Sequence, residues 1–414
     1  MVGAESLFAT EFQISLMLFV AFMGYFITTK IGQNIVITEI LLGILIGPTI
    51  LGLVTYTDII NVLAQFGAIF LLFAIGMELK FKEIYNRKSF LIALFGVVVP
   101  WIGGFAVASA FNYPFIKAVF VGTALTATSI AITANVLREM RVLDSGTAKA
   151  IIGAAVVDDI LGLLALSLTT GVAANSISFG SITTTIITAV AFLLVGAFTG
   201  GHLSKMLFRM EGIAKKKGTS EMVFLLAIAI AFLYSAIAEF IGLSAVVGAF
   251  IAGVSLENVK SPGFREGARY LEVIFAAIFF VSIGILFNID IKAVTELIPF
   301  VVALTVVAFM TKLVGCGVGA RICGMGRRES TVIGMGMAPR GEVAIIVALI
   351  GLNAGVIGQG LYSAIIAMSL LTTVLTPPLL KKAFQWYRQE ATAAYRRRWW
   401  VEEIRAIRKR IRKR

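Results

Sequence analysis

Apolar residues run along this chain in long blocks that short polar stretches interrupt at nearly regular intervals. A helix needs about 20 predominantly apolar residues to cross the hydrocarbon core of a bilayer, within a working range of about 17–25. Cutting the chain by that rule predicts thirteen helical segments, at 11–29, 34–54, 58–79, 89–111, 115–138, 147–172, 178–208, 221–241, 243–257, 269–288, 294–320, 330–352 and 358–384. Only Ile241-Gly242-Leu243 divides the eighth from the ninth, so hydropathy alone leaves the parity of the crossings open.

Charge decides the parity. Lys30, then Lys80, Lys82, Arg87 and Lys88, then Arg138, Arg141 and Lys149 fall in alternate connections. The series continues with Lys205, Arg209 and Lys215 to Lys217, with Lys260, Arg265 and Arg269, with Arg321, Arg327 and Arg328, and with every basic residue from Lys381 onward. Intervening connections hold only Lys117 and Lys292. Basic loops stay cytoplasmic, so the expected fold is an all-α polytopic membrane protein of thirteen transmembrane helices, N-terminus outside and C-terminus cytoplasmic.

Composition agrees. The chain is 59% hydrophobic and 14% charged, with a mean hydropathy of +0.95, against roughly 45–50% apolar and 25% charged in an average soluble domain. One or two anchors on a soluble body would not give that value. The net charge of +13 would point to nucleic acid in a soluble chain, but its placement beside apolar segments assigns it to the membrane surface. Tyr395-Arg-Arg-Arg-Trp-Trp400 and the run Arg405 to Arg414 combine interfacial aromatics with cations, which suits anionic lipid headgroups. No soluble domain is expected beyond this tail. A cleaved signal peptide would need a basic start, whereas Met1 to Gln13 is acidic. Cys316 and Cys323 are too few for a disulfide framework or a cysteine-rich zinc site, and the single histidine, His202, reads as an ordinary residue beside Lys205.

Two basic residues remain in the middle of spans, Lys312 and Arg340. An ionisable residue there costs about 2.5–3.5 kcal/mol on insertion scales, so each is a functional candidate that needs a partner. The deep acids are Asp158 and Asp159 in the sixth segment and Glu342 in the twelfth, with Glu39, Glu78 and Glu239 less deep and without an assigned role. Two adjacent carboxylates cannot both ionise cheaply without a cation or a basic partner, so the pair suits protons or a dehydrated monovalent cation. Thr126-Ala-Thr-Ser129 interrupts the fifth segment at its midpoint and Ala338-Pro-Arg-Gly-Glu342 the twelfth. A proline followed by glycine inside a membrane helix frees backbone groups and invites unwinding. Back-bonding to the preceding turn is the plain alternative for Thr126, Thr128 and Ser129. Residues 89–172 and 294–384 each form a triplet with its interruption in the middle helix. The triplets are seven spans apart and so cross in opposite senses, the signature of an inverted repeat with two broken helices.

At these residues the chain resembles cation:proton antiporter family 2, of the bacterial and archaeal sodium/proton antiporter type. The likeness rests on Glu39-Ile-Leu-Leu-Gly43 with Gly47-Pro48, Gly76-Met-Glu-Leu79, Thr126-Ala-Thr-Ser129, Val157-Asp-Asp-Ile160 and Pro339-Arg-Gly-Glu342. It spans nearly the whole membrane region. It implies Asp159 as the principal cation and proton ligand, Asp158 as its neighbour in the site, and Lys312 as a proton carrier or salt-bridge partner of Asp158. Thr126 and Ser129 would complete the site, and Arg340 with Glu342 would stabilise the second break.

The resemblance also implies a homodimer in the cytoplasmic membrane of a prokaryote, and a secondary active antiporter rather than an enzyme. No cofactor is expected; sodium, with lithium as a second cation, and protons are substrates. A panel at 1–88 and 211–293 would stand against a moving core at 89–172 and 294–384, joined by a linker helix at 173–210 and followed by a basic tail at 385–414. If sodium takes Asp158 from Lys312, the stranded ammonium sheds its proton and exchange becomes electrogenic, two protons for one sodium; otherwise Lys312 only holds the core together. A potassium/proton antiporter, a cation channel of the same architecture and an organic-anion transporter are the competing readings. Gly315-Cys-Gly-Val-Gly-Ala320 is a packing run rather than a dinucleotide loop, since no strand precedes it.

Overall fold

The computed structural model describes residues 4–31, 35–80, 86–173, 179–217, 220–257, 262–286 and 297–411, and every regular element among them is helical. The chain begins with α1 (Ala4–Ile31), α2 (Ile35–Ile46), α3 (Asp58–Gly76) and α4 (Arg87–Ala110). The fifth apolar segment holds two helices, α5 (Phe115–Ala124) and α6 (Ile130–Glu139). Then come α7 (Gly146–Ala173), α8 (Phe179–Lys217), α9 (Ser220–Phe240), α10 (Ala245–Ser255), α11 (Pro262–Leu286) and α12 (Ile298–Ile322). The twelfth segment is also divided, into α13 (Arg327–Gly336) and α14 (Glu342–Asn353), and α15 (Gln359–Ile411) closes the order. Of the loop lysines read from the sequence, Lys82, Lys260 and Lys292 lie outside the described residues, as do the tail side chains from Arg388 onward.

Nine of the described helices are long and apolar enough to cross a membrane, and four apolar helices are shorter: 35–46, 115–124, 245–255 and 343–353. Each short helix has a local cause. α2 stops at Ile46 because Gly47-Pro48 follows, where proline offers no N–H to continue the ladder. The chain turns back at Gly52, whose φ of 63° favours glycine, and Leu53 and Val54 donate their N–H groups to the Ile46 carbonyl at 3.0 Å. The second apolar segment is therefore helical only over its first part. Gly242, at φ 85°, ends α9, and the Ser244 hydroxyl caps α10 by accepting from Val246 N, so the eighth and ninth segments form two helices. α15 continues past the expected end of the last segment into the basic tail, since no glycine or proline occurs after Pro378.

Contacts sort the helices into two groups. α1, α2, α3, α9, α10 and α11 pack on one another; α4 packs on α5, α7 and α12, and α15 packs on α12, α13 and α14. α8 touches α7 on one side and α9 and α10 on the other. Between the groups, α6 meets α2 and α3, and α15 meets α2. Glycines bring backbones together within the first group: a Cβ on Gly284 of α11 would fall on the Ile40 carbonyl, and one on Gly43 would fall on the Val281 carbonyl. Close approach of small residues is the usual means of helix association where lipid removes the hydrophobic drive. Phe22, Phe198, Leu225 and Phe240 stand exposed on the outside, while charged side chains lie within, the inverse of a water-soluble chain.

Gly284→Val should therefore separate α2 from α11 at a cost of about 1–3 kcal/mol, the usual penalty of overpacking a close contact. Thermal unfolding in detergent should show a clear drop in midpoint, larger than that of Gly146→Ala, where a Cβ meets nothing.

Candidate cation site

The two helix breaks meet each other. The chain leaves α5 through a turn at Leu125 and Thr126 and runs without regular structure to Ser129; on the other side it leaves α13 through Met337 to Gly341. A buried carbonyl left over at such a break must find a donor, since hydrocarbon offers none. Here the donors come from the opposite break: Thr133 Oγ1 donates to Gly336 O at 2.7 Å, Thr128 Oγ1 to Met337 O at 3.2 Å, and Ser129 N to Pro339 O at 2.9 Å. Gly341 keeps the approach open, because a Cβ there would lie 2.7 Å from Ser129 Oγ.

Arg340 joins the breaks to a third helix. Fully buried, it donates from one guanidinium nitrogen to Ala127 O at 2.5 Å and from another to Ala308 O of α12 at 3.1 Å. One turn further along α12, Lys312 Nζ lies 2.7 Å from Asp158 Oδ1 of α7, and neither side chain has any exposure. The other Asp158 oxygen, Oδ2, is buried without a hydrogen-bond partner, and so is Ser129 Oγ. Asp159, next along α7, is 9% exposed, which makes it the more accessible of the pair. The Thr126 hydroxyl donates to Thr123 O at 2.7 Å, the back-bonded arrangement, and stands across from Gly162, one turn beyond the aspartates on α7. The structure thus gathers Asp158, Lys312, Arg340, Thr128 and Ser129 around the two breaks. The Glu342 side chain lies outside the described residues.

Two members of this arrangement carry no signal of their own in the sequence. Gly96 of α4 faces the ion pair: a Cβ there would meet Cys316 Sγ at 2.5 Å, Lys312 Nζ at 3.6 Å and Asp158 Oδ1 at 3.7 Å. Cys316 is buried one turn after Lys312. Both are small residues that leave room for a lysine between helices, and a glycine among 40 does not announce that role.

The undecided acids separate. Glu239 is exposed at the end of α9. Glu78, just after α3, pairs with Arg138 Nε at 3.4 Å, and Arg138 NH1 also reaches Glu272 of α11. Glu139 accepts from the N–H of Ile35 at the start of α2, and Glu39 is buried one turn further along that helix. His202 is exposed on α8, with Nδ1 3.2 Å from Phe198 O.

An all-helical membrane protein in which two interrupted helices meet beside buried carboxylates and a buried lysine has the construction of a secondary transporter. Comparison places it among its relatives: the transmembrane sodium/hydrogen exchanger family matches residues 17–386, and the chain belongs to that family of multi-pass cation/proton antiporters, which are not enzymes. It is 34% identical over 382 residues to the Na(+)/H(+)-K(+) antiporter GerN of Bacillus cereus, covering 90% of this chain and 96% of that one. It is 31% identical over 377 residues to a Na(+)/H(+) antiporter of Enterococcus hirae, covering 89% and 96%. The solved sodium proton antiporter MjNhaP1 of Methanocaldococcus jannaschii shares the fold, with a TM-score of 0.66 over 92% of this chain and 97% of that one, at 16% identity.

Removing one partner of a buried ion pair strands the other, at about 3–5 kcal/mol, whereas replacing both with neutral groups is far cheaper. Asp158→Asn and Lys312→Met should each lower the thermal midpoint strongly, and the double variant should recover most of the loss. A double-mutant cycle on purified protein measures the coupling.

Proposed function

We propose that this protein exchanges sodium for protons across the cytoplasmic membrane of a prokaryote, with protons and cation competing for Asp159 and Asp158. The observation that carries this reading is the buried Asp158–Lys312 pair beside Asp159, between two interrupted helices. An Asp158 oxygen and the Ser129 hydroxyl, both buried without a hydrogen-bond partner, fit it chemically: both are hard oxygen donors of the kind a dehydrated alkali cation takes. Thr126 joins them by giving up its back-bond. Asp159, the more exposed carboxylate, loads first. Cation on the pair draws Asp158 from Lys312, whose unpaired ammonium then sheds its proton, so two protons leave for one sodium. Potassium is the second candidate cation, since the name of the relative GerN includes it.

In this reading thirteen helices cross the membrane in two inverted repeats, N-terminus outside and C-terminus cytoplasmic, and Arg340 with Glu342 steadies the second crossing helix. The protein is a homodimer whose basic tail rests on anionic lipids. Residues 89–172 and 294–384 form the core that carries the site, moving as an elevator against the panel of 1–88 and 211–293, with α8 as the link. The grouping of helix contacts supports this division. The ion pairs of Arg138 with Glu78 and Glu272, with the bond from Glu139 to the start of α2, then fasten core to panel at the cytoplasmic end.

In proteoliposomes, a sodium gradient should drive proton flux and a current. Asp159→Asn should abolish both in a folded dimer, because an amide cannot alternate between holding a proton and neutralising a cation. Apparent sodium affinity should fall as pH drops, because protons take the shared carboxylates. Affinity that stays flat from acid to alkaline pH would mean separate routes, and active transport without current would remove Lys312 as a proton carrier.

Glu272→Gln should loosen the fastening, since truncating one side of a buried charged pair costs about 2–5 kcal/mol. Hydrogen exchange should rise over 130–139 and 74–79 by at least about tenfold, equal to about 1.4 kcal/mol. Unchanged exchange there, with unchanged transport, would remove the fastening role.

A further inference from the structure

Broken helices in transporters commonly offer unwound backbone carbonyls to the ion, so the partners of those carbonyls decide which oxygens are free to bind it. At the second break, the carbonyls of Gly336, Met337 and Pro339 take donors from across the breaks, whereas the Arg340 carbonyl receives two hydroxyls from α15, Ser369 Oγ at 3.0 Å and Thr373 Oγ1. A carbonyl has two lone pairs, so this oxygen is fully committed.

The two donors behave unlike their neighbours. Thr372 and Thr376, equally buried on the same helix, donate back into α15 at 2.9 and 2.7 Å, which is the ordinary habit of hydroxyls in membrane helices. Ser369 and Thr373 leave their own helix for the same acceptor. Their spacing of four places them on one face of α15, one turn apart, where both reach one atom. That atom belongs to the residue whose guanidinium holds Ala127 O at the first break and Ala308 O one turn before Lys312. Rotation of the Arg340 peptide would therefore disturb both breaks and the lysine helix together.

We propose that Ser369 and Thr373 are positioning residues of the transport reaction, which hold the Arg340 carbonyl out of the cation's ligand set and so help define which alkali cation the site accepts. The inference rests on the reading of Asp158 and Asp159 as the cation and proton site. Without the hydroxyls, the site gains a free neutral oxygen on a peptide able to turn, and the balance between carboxylate and carbonyl ligands changes. Cations that differ in size and hydration respond unequally to such a change.

The test uses full-length protein in proteoliposomes, with sodium, lithium and potassium chloride in turn as the driving salt. KM and maximal rate are read from proton flux, and thermal midpoint in detergent is measured alongside. Ser369→Ala with Thr373→Val should change the KM for at least one cation by about fivefold or more, the worth of one buried hydrogen bond, and should alter the ratios among the three cations. Thr373→Ser keeps the hydroxyl and should retain wild-type KM values, while Thr373→Val alone, nearly isosteric, should shift them part of the way and serves if the double variant does not fold. A lowered midpoint with unchanged KM values and ratios in Thr373→Val would overturn the proposal and leave the pair a structural role only. Absence of cation-driven proton flux in the wild type would instead remove the underlying reading of the site.

Discussion

Backbone polar groups inside hydrocarbon must be satisfied by the protein itself, and the centre of this molecule follows from that constraint. Two helices are interrupted at the same place, and each interruption leaves carbonyls and N–H groups among buried residues. A single interruption would be costly. Two facing ones supply each other: Ser129 N with Pro339 O, Thr133 with Gly336 O, Thr128 with Met337 O. Arg340 then contributes the fixed fork of donors that a lysine lacks, reaching Ala127 O and Ala308 O together. The breaks, Arg340 and the hydroxyls of α15 form one hydrogen-bonded unit, and Asp158 and Lys312 sit beside it.

The ion pair is a poor device for stability alone. Two charges taken wholly out of water lose more hydration than their attraction returns unless the geometry is good and the other donors and acceptors are met. Here one contact of 2.7 Å joins them, and the second Asp158 oxygen, on the side of the Thr128 hydroxyl, makes no close hydrogen bond. Well-packed apolar residues would hold α7 to α12 at least as well. In the proposed exchange, that second carboxylate oxygen is the one a proton or a cation would take.

Much of the fold was legible because hydrocarbon imposes such coarse rules. Apolar length located a helix in every predicted segment, and basic loops settled that Ile241-Gly242-Leu243 divides two helices, which Gly242 and the Ser244 cap explain in the structure. Pro339 and Gly341 marked the second break by their backbone chemistry. Helix ends were less legible: α2 stops well inside its apolar run because Gly47-Pro48 acts within a segment that hydropathy treats as uniform. The candidate site was legible where it is charged: Asp158, Asp159, Lys312 and Arg340 stood out because charge in a bilayer is rare, and the structure places them close together. It was not legible where it is small or uncharged. Gly96 and Cys316 make room without polarity, and Ser369 and Thr373 differ from Thr372 and Thr376 only in which way their hydroxyls turn.

The short helix α6 joins these threads. Its ten residues span about 15 Å at 1.5 Å per residue. At its start, Ser129 and Thr133 meet the second break; at its end, Arg138 pairs with Glu78 and Glu272, and Glu139 receives the first N–H of α2. A helix so short joins the second break to the charged seam within about three turns. Glu78 follows the end of α3 and Glu272 stands on α11, so Arg138 is held from two separate elements of the other group. In the proposed exchange, α6 is therefore the element through which a change at the second break would reach the seam between the two groups of helices.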